Sequence, residues 1–460
     1  MSDLTPQHPN IVVALTDDHA QWALGAYGNS VVKTPTLDYL ADRGVCFDNA
    51  FTPTPVCSPA RASFWTGWMP SQHGVHDYLA ESDPEVQKMD WLKDQPLLPQ
   101  ALQKAGYVTA LVGKWHLSSG ALDEAGFDYV FRQESPVAKH DRHAITEHAI
   151  EFLRTRETSK PFFLFLGHFE THSPWIGHPE RLMNGYRGLG NQIDVVQEET
   201  YRFGRLTEES LYRTREDQRE ALAQYYSAVT SIDEQIGRVI DELDHQGIRA
   251  ESVLIYTSDH GLNAGHHGLW GKGNATYPYN MLEESIRVPL IIDAPDRMIP
   301  RQRRSEIVQH CDLHATILDF AGIPPMPSSS GSSLVPLVEG KESTTWPDVM
   351  FGEYGDLRMV RTHRYKYIER AAENRIDLFD LETDPRETKN LGLSEEHAGI
   401  RTQLASQLKE YFDQFEGSPN NGLRVRELWR HNSDEAWRDS GKHRLSAEPT
   451  WLNMQSEHAP

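Results

Sequence analysis

Cys57 stands in the stretch TPVCSPARASFWTG, residues 54–67, between Pro55 and Pro59, with Arg61 four residues beyond it and an apolar, helix-compatible run behind. In a helix beginning near Pro59, Arg61 lies one turn past Cys57, so its guanidinium can approach whatever the cysteine carries. The N–H groups at such a helix start favour an anion at the same spot. A plain thiol in this electropositive setting is expected to have a lowered pKa. An inert loop cysteine beside a surface arginine is the alternative.

Asp17-Asp18 and Asp259-His260 each follow an apolar run, IVVAL at 11–15 and SVLIYTS at 252–258. Three carboxylates gathered at one edge of a sheet repel one another unless a cation lies between them. Oxygen ligands favour Ca²⁺ or Mg²⁺, and an imidazole nitrogen from His260 loosens that preference towards Mn²⁺. Either pair by itself also reads as turn residues. Lys114 and His116 in VGKWHLS lie two apart and face the same side if the strand YVTALVG continues through them. His172 in FETHSPW follows the apolar run PFFLFLG, and Lys272 in GLWGKG follows the Asp259-His260 turn. Taken singly these are solvated lysines or hydrogen-bonded histidines. Taken together with Arg61 and a divalent ion, they suit a tetrahedral oxyanion whose charge grows during transfer.

The elements that must position these groups alternate in a regular way. Short β-branched apolar runs at 11–15, 107–113, 161–167, 252–258 and 288–294 suit parallel strands buried on both faces. Helix-compatible sequence separates them, most clearly where Tyr225, Val229, Ile232, Ile236, Val239 and Leu243 recur at spacings of four and three before Gly247. The expected fold is α/β, with a large, mostly parallel sheet sandwiched by helices and ligands beyond the carboxyl ends of the strands.

Residues 324–347 are rich in Pro, Ser and Gly and suit a linker or surface loop; the short strand-like runs after them predict a small antiparallel sheet. The expected division is a catalytic domain over 1–345, an antiparallel-sheet subdomain over 346–416 and a polar tail over 417–460. The tail carries Trp429, Trp437 and Trp451, and is expected to pack on the main domain or on a neighbouring subunit of a homo-oligomer.

Bulk properties narrow the function. The chain has 460 residues and a formal net charge of -22, which excludes a general nucleic-acid or anionic-membrane surface. Cys46, Cys57 and Cys311 are too few for a disulfide framework, and Cys46 and Cys311 read as small buried hydrophobes. No apolar run approaches the roughly 18 residues of a membrane span, and the first residues lack the pattern of a signal peptide. A cytoplasmic location is therefore expected for the chain as given, or a periplasmic or secreted one for a processed form.

Cys57-Ser58-Pro59-Ala60-Arg61 followed by ASFWTG, with TDDH upstream, GKWHL and SDHG downstream and LFDLETDPRETKNL at 378–391, resembles the type I sulfatase family of the alkaline phosphatase-like superfamily. The resemblance implies that a maturation enzyme oxidises Cys57 to formylglycine, whose hydrated gem-diol supplies the nucleophile. It further implies that Asp17, Asp18, Asp259 and His260 hold a divalent metal, Ca²⁺ first, with Mg²⁺ or Mn²⁺ as alternatives, together with the modified Cys57. Arg61 would orient the diol, His116 would take its proton, and Lys114 and Lys272 would grip sulfate oxygens. His172 would contact the sulfate or protonate the leaving oxygen.

Ala60 replaces a commoner serine, Trp68 stands where many members carry arginine, and His260 stands where many have asparagine. The implied activity is sulfate-ester hydrolysis. A phosphonate or phosphate ester hydrolase of the same superfamily is the rival, and a catalytically silent sulfated-glycan binding protein the third reading. Trp175 and Trp270 flank the site residues in sequence and could stack on a sugar ring or pack in the core. The acidic balance of the chain favours a short sulfated saccharide over a long polyanion. The polar segment 177–217 is expected to help shape the substrate pocket.

Overall fold

A computed structural model describes residues 8–118, 122, 124–133, 143–175, 177–193, 205–206, 217–341, 346–371, 374–433 and 435–439. The main sheet is built from β1 (Asn10–Thr16), β2 (Val45–Phe51), β3 (Val108–Gly113), β4 (Tyr129–Arg132), β5 (Phe162–His168), β6 (Ser252–Ser258), β7 (Leu290–Asp293) and β8 (Gln302–Gln309). Its order is β8-β2-β7-β6-β1-β5-β3-β4. Strands β1, β3, β4, β5 and β6 run parallel, with Ile11 beside Phe163 on one side and Val253 on the other. The run at 288–294, read as one more parallel strand, is β7 and lies antiparallel to both β6 and β2.

Alternation along β1 divides the interior in two. Ile11, Val13 and Leu15 point to the face covered by α2 (Cys57–Thr66), α3 (Leu98–Lys104) and α6 (His310–Phe320). Val12 and Ala14 point to the face covered by α1 (Pro35–Arg43), α4 (Ala144–Thr155) and α5 (Gln218–His245). Both faces are apolar because helices cover both, which is why the strands read as unbroken hydrophobic runs. The long helix expected from Tyr225 to Leu243 is α5, and it buries all six of the periodic residues.

The small sheet is a meander of β9 (Val349–Tyr354), β10 (Leu357–Thr362), β11 (Tyr365–Arg370) and β12 (Arg375–Asp380). Val360, Tyr367 and Leu378 on one side of it pack with Leu404, Leu408 and Phe412 of α7 (Ala398–Asp413). Its other side packs Met350, Leu357, Met359, Ile368 and Phe379 against Phe51, Met281, Leu282 and Ile286 of the main body, and buried polar contacts flank that apolar seam. Arg361 binds Glu283 at 2.9 Å, and Lys366 binds Glu283 at 2.9 Å and Glu387 at 2.7 Å. Ser71 donates to Glu353 at 2.6 Å, and Tyr354 donates to Asp77 at 2.8 Å.

Residues 324–334 form a loop fitted to the main body, followed by a short helix at Val335–Val338. Ser330 N–H donates to the Gly67 carbonyl at the end of α2, and Ser332 N–H donates to Asp312 of α6. In the tail, Trp437 is buried against Tyr279 and Tyr354, while Trp429 is 73% exposed. Trp451 lies outside the described residues. Among the described residues no helix is long and apolar enough to cross a membrane.

His314 of α6 is fully buried against Gly67, and neither ring nitrogen has a hydrogen-bond partner among the described residues. Burial pushes it down to about 3, so the folded protein holds it neutral while the unfolded chain protonates it near 6.5. Stability from this residue is therefore complete above about pH 6.5 and is lost as pH falls towards 3. Urea denaturation of His314→Phe is expected to show a shallower loss of stability between those pH values than the unsubstituted protein.

Candidate active site

The side chains that can do chemistry come from the carboxyl ends of the parallel strands. Asp17 and Asp18 follow β1, Lys114 and His116 follow β3, His172 follows β5, and Asp259 and His260 follow β6. Helix α2 brings Cys57 and Arg61 in from the side. It starts at Cys57 itself, two residues earlier than the sequence reading, because Val56 is extended and Pro59 falls in the first turn, where a missing N–H costs nothing. It stops at Gly67, whose left-handed φ of 71° lets its N–H reach back to Ser63.

Strand β3 ends at Gly113, so Lys114 and His116 do not share a face by strand alternation as expected. Gly113 turns the chain with a φ of 110°, and a Cβ there would stand 2.4 Å from the Gly167 carbonyl. Trp115 then drops into the core against Trp65, with ring centroids 5.3 Å apart, and Lys114 turns to the acidic cluster. Asp18 and His116 hold positive φ values of 59° and 56°, uncommon for residues with a side chain and frequent at functional sites.

The groups converge on Cys57. Its thiol donates to Asp17 Oδ1 at 3.3 Å, accepts from Lys272 Nζ at 3.0 Å and lies 3.2 Å from His260 Nε2. Lys272 also donates to Asp18 at 2.7 Å, and Lys114 pairs with Asp17. Arg61 donates from Nε to Asp259 at 2.9 Å and from a terminal nitrogen to the Lys114 carbonyl at 3.0 Å. His260 Nδ1 faces the Gly261 carbonyl at 2.9 Å, which turns Nε2 towards Asp18 Oδ1 at 3.3 Å. Ligand atoms of Asp17, Asp18, Cys57 and His172 lie within 4.8 Å of one another, as do those of Asp17, Cys57, Asp259 and His260. His116 stands further out, with Nε2 3.8 Å from Glu81. The donor set, carboxylate oxygens with imidazole nitrogen, fits a hard or borderline divalent cation.

The charges explain one another. Burial pushes Asp17 up, but Lys114, His172, Lys272 and Arg61 together hold it well below the usual carboxylate range. Burial and the neighbouring Asp17 push Asp259 up. Burial opposes the charge on Lys272, and Asp18, Cys57 and Asp17 more than restore it. Burial and Lys114 drive His116 well below the ordinary histidine range.

The Cys57 thiol, expected to be lowered, is pushed up by burial and by Asp17, against Lys272 and Lys114. The cations beside Cys57 are already committed to carboxylates, and the helix start is buried.

Several groups that hold this arrangement have no signal of their own in the sequence. Thr171 donates to the Asp17 carbonyl, Tyr225 donates to the Asp18 carbonyl at 2.8 Å, and Ser258 donates to the His260 carbonyl at 2.9 Å. Gly273 lets the Lys272 loop lie on the Cys57 loop, since a Cβ there would sit 2.3 Å from Pro55. Trp175 and Trp270 offer no face to a sugar. Each is 3% exposed, and they pack at 6.2 Å from one another, with Tyr225 5.1 Å from Trp175. Of the segment 177–217, residues 194–204 and 207–216 lie outside the described residues.

An open, mostly parallel sheet with this cluster at its carboxyl edge defines an α/β protein with a candidate metal and anion site, and comparison with known proteins gives the particular family. The family model "Sulfatase" matches residues 9–323, and the model "N-sulphoglucosamine sulphohydrolase, C-terminal" matches residues 265–414. The chain belongs to the sulfatase family and is a sulfuric ester hydrolase. The family implies a divalent metal ion and a formylglycine.

It is 27% identical to N-acetylglucosamine-6-O-sulfatase of Bacteroides thetaiotaomicron, over 89% of this chain and 87% of that protein. A solved structure in complex with its substrate D-glucosamine-2-N,6-O-disulfate superposes with a TM-score of 0.76 at 25% identity, over 90% of this chain and 99% of that one. The phosphonate monoester hydrolase of Agrobacterium radiobacter shares the fold, with a TM-score of 0.69 at 21% identity over 88% of this chain and 96% of that one.

With Cys57 left as a thiol and metal removed by a chelator, alkylation at neutral pH is expected to be much slower at Cys57 than at a free cysteine. Peptide mass spectrometry of iodoacetamide-treated protein measures this.

Proposed function

We propose that this protein removes sulfate from a short sulfated saccharide, using a formylglycine made from Cys57 by a separate maturation enzyme and a bound Ca²⁺ ion. The observation that carries the reading is the convergence of Asp17, His260 and Lys272 on Cys57 Sγ at 3.0 to 3.3 Å. The sulfur marks where the oxygens of the hydrated aldehyde would sit. The saccharide is supported by the relatives, one an N-acetylglucosamine-6-O-sulfatase and one bound to a glucosamine disulfate.

Asp17, Asp18, Asp259 and His260 would hold the ion with the modified Cys57, and its positive charge would offset negative charge growing on the sulfuryl oxygens. The hydrated aldehyde supplies a nucleophilic hydroxyl at position 57. The charge balance favours this assignment. Asp17, Asp18 and Asp259 against Arg61, Lys114 and Lys272 leave the pocket near neutrality, and a divalent cation makes it an anion receptor.

Arg61, one helical turn from Cys57 and pinned to Asp259, orients that residue. Lys114 and Lys272 turn their ammonium groups from the carboxylates towards the sulfate oxygens. His116 takes a proton from the hydroxyl at position 57. His172 points Nδ1 at the Ser173 carbonyl at 2.6 Å, leaving Nε2 to carry a proton to the leaving oxygen.

The test is release of inorganic sulfate from a panel of defined sulfated saccharides, aminosugar sulfates first, beside a matched aryl sulfate and phosphonate monoester. Sulfate release from a saccharide by protein carrying the aldehyde is expected, with a loss of more than about a thousandfold in Cys57→Ala. A large preference for the phosphonate would overturn the assignment. Lys114→Ala is expected to lower kcat by about 10²- to 10³-fold, as removing a single preorganised donor to a developing oxyanion does elsewhere. Steady-state kinetics with the best saccharide measures it.

A further inference from the structure

The pocket described so far is buried almost throughout. Arg61 and Asp259 are fully covered, Lys114 is 4% exposed and Lys272 12%. A substrate's sulfuryl group can enter such a pocket, but the rest of the molecule must meet its rim. One group stands at that rim whose charge is opposite to what an anion site calls for. Glu81 is 43% exposed, and its Oε1 lies 3.8 Å from Nε2 of His116, whose ring is 10% exposed.

Glu81 is held there by its backbone. Leu79 N–H donates at 3.0 Å to Ser58 Oγ, the side chain next to Cys57 in helix α2. Ala80 N–H donates at 3.0 Å to the His431 carbonyl, and the Ala80 carbonyl accepts from Gln87 at 3.2 Å. Asp77, two residues before Leu79, accepts from Tyr354 at 2.8 Å and Tyr279 at 3.2 Å. The segment is thus pinned to the start of α2 on one side and to the small sheet and tail on the other. The backbone that carries Glu81 is therefore held beside His116.

We infer that Glu81 is a specificity-determining residue: its carboxylate at the mouth of the sulfuryl pocket selects saccharides whose substituents near the ester are neutral or cationic, and disfavours those with a second anion there. The inference rests on the saccharide reading above. A carboxylate accepts hydrogen bonds from sugar hydroxyls, an N-acetyl N–H or an ammonium group, and repels a second sulfate. Two like charges about 8 Å apart, at an effective dielectric between about 20 and 40, repel enough to change relative binding by about five- to thirtyfold. That is enough to decide between substrates differing in one charged group.

The experiment compares kcat/KM for N-acetylglucosamine 6-sulfate and glucosamine 2-N,6-O-disulfate in the unsubstituted protein, Glu81→Gln and Glu81→Lys, all carrying the aldehyde and Ca²⁺. The disulfate-to-monosulfate ratio is expected to rise about tenfold in Glu81→Gln and further in Glu81→Lys, with the change shrinking as salt is added. A ratio unchanged in both variants overturns the role of Glu81 while leaving the sulfatase reading intact. An equal fall in activity on both substrates also overturns it, because that places Glu81 in support of His116 instead of in substrate choice. No sulfate release from either saccharide by the unsubstituted protein overturns the saccharide reading, and this inference with it.

Discussion

Three carboxylates buried within a few ångströms of one another set the terms for the rest of the molecule. Asp17, Asp18 and Asp259 are between 0% and 2% exposed. Burying a single unpaired carboxylate costs several kcal/mol, and burying three side by side adds their mutual repulsion. The fold meets that cost with Lys114 on Asp17, Lys272 on Asp18 and Arg61 on Asp259. Each cation reaches its partner from a different element, so the electrostatic requirement fixes the relative places of β1, β3, β6, α2 and the 263–273 loop. Asp18 at a φ of 59° is the local strain this arrangement carries, and Tyr225, buried on α5, holds the Asp18 carbonyl in that conformation.

The small sheet belongs to the same electrostatic scheme. Glu283 and Glu284 precede β7; Glu283 binds Arg361 of β10 and Lys366 of β11, and Glu284 lies 3.1 Å from His267. His267 is in the loop that delivers Lys272, and its own φ is 55°. Burial pushes Glu283 up, yet Arg361, Lys366 and Arg287 hold it well below the usual range, which marks these pairs as charged in the folded state. The meander and the Lys272 loop are therefore braced from neighbouring residues. Lys272 owes its place beside Asp18 and Cys57 in part to a sheet that contributes no residue to the cluster.

Legibility in the sequence followed the strength of each physical signal. The helix from Tyr225 to Leu243 was readable because its apolar face recurs with the helical period, and the strands at 11–15, 161–167 and 252–258 because each is an unbroken apolar run buried on both faces. Strand β7 was equally apolar, but direction leaves no trace in composition, and it runs against its neighbours. The stretch 324–347 was readable as a linker or surface loop, but its fit was not: Ser330 and Ser332 spend their backbone N–H groups on Gly67 and Asp312, contacts that composition cannot reveal. Trp175 and Trp270 looked available to a sugar because they flank the site in sequence. Packing with Tyr225 removed them from it.

Residue type and spacing alone determined the family, the α/β alternation and the identity of the chemical groups, because Cys57-x-Pro-x-Arg61 and the acidic pairs after apolar runs are local features. Tertiary structure alone decided which of those groups meet, how their charges cancel and which remain at the mouth. The raised Cys57 thiol and the exposed Glu81 beside His116 both arise from contacts between segments far apart in the chain. Burial and Coulomb interaction depend on distance in space, which the order of residues does not contain.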